Sequence, residues 1–166
     1  MFNEINGLPV HPLVIHAAVV LVPLSALLGV LFVIPRTRAW ARIPLLLVSL
    51  GAAASVYVSR ESGEALRENL NLEDNSELPA ASLIDVHEDR AYVLFIATLI
   101  FAAIAVAAFV LSRSATSYSG PLAAVVSVLL ILGALGVAYQ TYRVGEIGSK
   151  AVWNPTGDQD FSSTSD

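Results

Sequence analysis

Four apolar runs bounded by charge set the pattern of the chain: 13–34, 43–59, 91–112 and 121–142, none of which contains Lys, Arg, Asp or Glu. A bilayer core takes about 20 predominantly apolar residues per helix. The pattern therefore predicts an all-α integral membrane four-helix bundle, up-down-up-down. The second run is short, and crosses if its ends snorkel or if its helix continues from Arg60 to Leu66. The polar segment 60–90 is expected to be an outer loop, with a short helix or none over 68–90. Residues 1–154 then form one four-span domain and 155–166 a disordered acidic tail. Pro23 is expected to kink the first span, because it removes a backbone hydrogen bond. No internal repeat beyond two helical hairpins is evident.

Charge orients the bundle. Arg36, Arg38 and Arg42 lie between the first two runs and Arg113 between the last two, with no acid in either connection. By the positive-inside rule these short loops are cytoplasmic. All 14 carboxylates fall on the other face: Glu4, nine between Glu61 and Asp89, and Glu146, Asp158, Asp160 and Asp166. Both termini are thus expected on the non-cytoplasmic side of the membrane. A cleaved secretory signal is the competing reading of the N-terminus. Against it, residues 1–12 carry no Lys or Arg and the first apolar run is long for a signal. Trp40, Tyr57, Tyr92, Tyr118, Tyr142 and Trp153 fall near the expected interfaces, as an aromatic belt would.

Composition agrees: 55% of residues are hydrophobic and 14% charged, against about 25% charged in soluble domains. The absence of Cys excludes disulfides and thiolate metal sites, and the net charge of -5 argues against nucleic acid. Small residues are dense in GAAAS (51–55), AAIAVAA (102–108) and GALGVA (133–138), which lets helices approach closely in lipid. Gly133 and Gly136 suit either the bundle interior or a partner helix, in a homo-oligomer or a larger membrane complex.

The candidate chemistry gathers at one end. His11 and His16 begin the first span and His87 precedes the third. Pro12 suits a first helical turn, which puts His11 at the cap and His16 about one turn inside, where cost favours the bundle over lipid. Glu61, Glu64 and Glu146 are expected beside them, from RESGE and RVGEIGSK. Three readings stay open. The first is a metal site of His11, His16, His87, Glu64 and Glu146, whose nitrogen and oxygen donors suit zinc, iron, manganese or copper. The second is a b-type haem between His16 and His87, with Arg60, Arg90, Arg143 or Lys150 for its propionates. The third is structural, with imidazoles capping helices and bonding loop carbonyls. Ser62, His87 and Asp85 lack the nucleophile elbow of a triad enzyme. The GxxGxK in RVGEIGSK follows a membrane helix rather than a strand, so its glycines read as a helix end. Apolar mid-span residues argue against transport, and nothing points to catalysis.

The opening GLPVHPLVIHAAVVLVPLSAL resembles that of the bacterial membrane proteins called domain of unknown function 2231, which begin with a GLPxHPxxVHxPxxL-like segment. YRVGEIGSKAVW resembles the closing segment of actinobacterial members, and His87 matches a His before their third span. The resemblance covers the chain to about residue 154. It implies a four-helix membrane protein, sometimes joined to a Rieske iron–sulfur domain, and so a redox-linked or accessory role. A chain without Cys holds no Rieske cluster itself. Several relatives carry a His in the closing segment where this chain has Glu146, which favours a mixed His/carboxylate metal site over a bis-His haem.

Overall fold

The computed structural model describes residues 4–69, 79–113 and 118–160. A two-stranded hairpin comes first, β1 (Glu4–Ile5) and β2 (Leu8–Pro9), paired antiparallel with Ile5 opposite Leu8. Asn6 and Gly7 make its turn with φ of 51° and 76°. A two-residue turn matching the twist of the strands needs positive φ at both positions, and Asn-Gly is the pair that tolerates it. Four helices follow: α1 (Val10–Val33), α2 (Arg38–Asn69), α3 (Pro79–Leu111) and α4 (Gly120–Trp153).

The apolar runs form the middles of these helices, but the ends follow expectation only in part. Residues 60–69 continue α2, as the allowed extension from Arg60 to Leu66 anticipated, whereas residues 79–90 begin α3 where a loop with a short helix or none was expected. The extensions are held by charge as well as by their own backbone bonds. Arg67 of α2 meets Asp85 of α3 at 2.9 Å and also donates to Glu88. Charge ends a membrane core but does not end a helix, and the segments pass from lipid-compatible to water-compatible surface without leaving helical geometry. α1 starts at Val10, so His11 sits in the first turn rather than at the cap. Its helix runs unbroken through Pro23, and the Ser25 hydroxyl donates to the Val22 carbonyl beside it. Of the tail, residues 155–160 are exposed or half-buried beyond α4, and 161–166 lie outside the described residues.

α1 packs on α2 and α4, and α3 packs on the same two, so the helices follow one another around a square. The core is made by Phe32, Leu45, Phe101, Leu130, Val22 and Val137, all essentially buried. Outside, large apolar side chains such as Val20, Leu47, Leu135 and Ile100 are exposed in number. An apolar coat around an already filled core is the arrangement that lipid, not water, accommodates. All four helices are long and apolar enough to cross a membrane.

Close packing depends on glycine at two places. A Cβ on Gly29 would stand 2.9 Å from the Phe101 ring, and one on Gly133 would stand 2.7 Å from it. Phe101 of α3 thus lies against the backbones of α1 and α4 together. Gly133 therefore serves the bundle interior.

The buried positions of the two hairpins correspond. Val22, Ser25, Ala26, Gly29 and Phe32 of α1 fall a constant step before Thr98, Phe101, Ala102, Ala105 and Ala108 of α3. Ala41, Leu45, Ser49, Ala52 and Ser62 of α2 stand in a second constant step to Val126, Leu130, Ala134, Val137 and Ile147 of α4. Each of these pairs matches two buried positions, whether the residues are of like or unlike size. α1–α2 and α3–α4 are hence two copies of one hairpin plan, repeated with the same orientation across the membrane, as parallel repeats are. The two helical hairpins noted in the sequence are thus the repeat unit, with the register repeating while residue identities largely do not.

Candidate imidazole pair at the bundle end

The repeat reaches its chemical consequence at the end where α1 and α3 begin. His11 is in the first turn of α1, and its Nδ1 lies 2.8 Å from the carbonyl oxygen of Ser59 on α2. One turn further along α2 is Gly63, whose missing side chain leaves room for the ring. A Cβ there would stand 3.1 Å from His11 Cε1 and 3.2 Å from Nδ1. His87 of α3 does the same on α4: its Nδ1 lies 3.2 Å from the Val144 carbonyl, and a Cβ on Gly148 would stand 2.9 Å from Cε1 and 3.0 Å from Nδ1. His11 corresponds to His87, Ser59 to Val144 and Gly63 to Gly148 by the same two steps that relate the buried positions. Each imidazole is therefore seated on the neighbouring helix by one backbone acceptor and one glycine.

This seating fixes chemistry as well as position. A backbone carbonyl only accepts, so Nδ1 must carry the proton and donate in both rings. In the neutral rings the proton is then absent from Nε2, whose lone pair is the usual metal-ligating position. No described residue hydrogen-bonds Nε2 of either ring. Both imidazoles are half-buried.

The remaining expected ligands have partners within their own helices. His16 is exposed, and its Nδ1 lies 2.6 Å from the carbonyl of Pro12 in its own helix. The expectation that it turns inward is corrected. A ring that satisfies one nitrogen on the preceding turn, where Pro12 leaves no bulky neighbour, can stay on the outer surface near the interface at little cost. His16 thus does not share the seating of His11 and His87. Glu64 is held by Arg60 at 2.7 Å and Glu146 by Lys150 at 2.7 Å, each one turn apart on a single helix. Among the described residues, no group of three or more His, Cys, Asp or Glu side chains is placed to hold a metal ion.

Further side chains stand around the rings, among them Ser62 and Arg90 in other roles than those considered from the sequence, and Ser59, which the sequence did not single out. Ser62 is buried, donates to the Ser59 carbonyl at 3.0 Å and comes within 3.5 Å of His11 Nδ1. The Ser59 hydroxyl is buried without a hydrogen-bond partner among the described residues. Arg90 donates to the Arg143 carbonyl at 3.2 Å, tying α3 to α4 one residue before Val144. The signal available for Gly63 and Gly148 was their shared setting two residues after a glutamate, in RESGE and VGEIGS.

Residues 7–157 match a family model described as "Predicted membrane protein (DUF2231)". No curated protein and no solved structure matches the chain.

Proposed function

The chain belongs to this family of predicted membrane proteins, and from that premise we propose that it binds a transition-metal ion through Nε2 of His11 and His87. The carrying observation is the repeated seating of both rings, with Nδ1 on a backbone carbonyl and glycine beneath. Metal-ligating histidines almost always donate their other ring nitrogen in this way, which sets the tautomer and raises ligand basicity. Two imidazoles without sulfur suit zinc, copper(II), iron or manganese, with water or a carboxylate completing the set. The ion would supply Lewis-acid or one-electron chemistry at that end of the bundle. A b-type haem would use the same two nitrogens, and is told apart by its spectrum. In this reading the histidine end lies outside the cytoplasm of a bacterial inner membrane, and the role is accessory to redox chemistry. The support for that setting is the arginine distribution and the resemblance to chains joined to Rieske domains.

Elemental analysis and an ultraviolet–visible spectrum of the detergent-purified protein test the proposal, beside His11→Ala and His87→Ala. Near-stoichiometric metal in the native chain, lost in both variants while thermal unfolding in detergent remains cooperative, is the expected result. A native chain that takes up none of the four metals, or variants that retain it, would instead make the rings packing elements. The chain would then be a structural subunit of a membrane complex, sought by co-purification.

A further inference from the structure

The opposite end of the bundle carries all the arginines of the two short connections, and beside them an apolar groove opens between α1 and α4. The groove is lined by Val33, Val128, Ile131 and Leu132 with Ser127 at its edge, and holds about 220 Å³. A chain of contacts leads from it to the cations. The Ser127 hydroxyl is 3.1 Å from that of Tyr118, and the Arg38 guanidinium lies 4.6 Å from the centre of the Tyr118 ring. Arg38 also donates to the carbonyls of Phe32 and Val33 at 3.2 and 3.0 Å, which fixes its guanidinium over the groove's end. These bonds use Nε and one terminal nitrogen and leave Nη1 without a partner in them. Arg36 is exposed two residues earlier.

We propose that this groove and the Arg36–Arg38 pair form a binding site for one anionic phospholipid, acyl chain in the groove and phosphate on the guanidinium groups. In a bilayer every outward groove meets an acyl chain, so the headgroup is what such a site selects. The segments IPRTRAWARI and LSRSATSYSGP place four arginines at this end and no acid, so the field favours negative charge. Guanidinium also suits phosphate geometrically, with paired donors for two oxygens. Arg38 is preorganised by its carbonyl bonds and by Tyr118, whereas Arg36 is free to close on the headgroup.

Native mass spectrometry of the full chain in detergent provides the test, with phosphatidylglycerol and phosphatidylcholine of identical chains, and glycerol phosphate as a headgroup without chains. Phosphatidylglycerol is expected to be retained in preference. Arg36→Gln should lower that preference about fivefold, as loss of one cation near an anionic surface does. Arg113→Gln makes the same charge change just beyond the end of α3, which does not line the groove, and should leave the preference intact. Val128→Trp fills the groove from an exposed position and should weaken retention of both lipids. Equal retention of the two lipids would overturn the site. So would equal losses in the two arginine variants, which mark a diffuse field, or competition by glycerol phosphate as strong as by the lipid, which marks a soluble phosphate site. Full retention in Val128→Trp would overturn the groove's part.

Discussion

At the scale of single residues, Gly63 and Gly148 make the sharpest claims. Neither has a positive φ, so the need for glycine is set by the imidazole above it. Gly148→Ala brings a methyl group to 2.9 Å from His87 Cε1, a contact that moves the ring or the helix. Gly63→Ala is slightly more permissive at 3.1 Å. If the rings hold a metal ion, Gly148→Ala should weaken its affinity by about 10-fold, at the low end of what loss of a supporting residue costs, and Gly63→Ala by less. Competition titration against a chelator measures both, and equal affinities in the three proteins would remove glycine from the account. His16→Ala should change metal content not at all and stability by less than about 0.5 kcal/mol, as for other surface sites. Metal analysis and thermal unfolding decide that. His11 and His87 were legible in the sequence as chemistry-bearing residues at one end. His16 was misjudged because its cost in lipid was weighed without the Pro12 carbonyl, which takes its Nδ1 from the preceding turn.

At the scale of elements, the uncharged middles of the helices could be read directly, since no soluble segment needs so many apolar residues in a row. Their ends were read only in part, through the allowance that the second helix continues to Leu66. The extensions beyond Ser59 and before Ala91 carry Arg60, Glu61, Glu64, Arg67, Asp85, Glu88 and Arg90, and a hydropathy pattern drops them at the first charge. Helical geometry persists because the charges find partners on the outside: Arg60 with Glu64 one turn on, and Arg67 across to α3. Arg67→Gln is accordingly expected to leave global stability nearly unchanged, as loss of exposed pairs does. Its local effect should be larger, with faster amide hydrogen exchange over 80–90 than over 95–110, read by mass spectrometry. Uniform exchange along α3 would show that the extension stands without the arginine. The N-terminal hairpin was missed, although its Asn-Gly turn was on view, because flanking strands of two residues give no alternating pattern to detect.

At the scale of the whole molecule, the bundle is two hairpins that share a burial register but few residue identities. Identity was the wrong signal to search for, since the bundle constrains which positions are inward and the volume of each facing group, not the residue itself. Leu45 matches Leu130, yet Ser49 matches Ala134 and Ser62 matches Ile147. Two polypeptides covering 1–69 and 79–166, expressed together, should assemble through the α1–α4 and α2–α3 interfaces and co-purify in detergent. Failure to co-purify, with each half stable alone, would show that the covalent link is required. Phe101→Ala should destabilise the chain by about 3–5 kcal/mol, the usual cost of emptying a buried aromatic position. Adding Gly133→Ala to it should be less harmful than Gly133→Ala alone, because the methyl group then enters vacated space. Denaturant titration of the four proteins measures that coupling.

Phe101 also sets a limit on the kinship of the two halves. Its counterpart in the first hairpin is Ser25, whose hydroxyl is spent on its own helix. A protein assembled from two first hairpins would have a serine at both places and a hollow where the ring now sits. One assembled from two second hairpins would bring two such rings to a centre that has room for one. The halves have become complementary, like a tenon and its mortise, and neither can stand in for the other.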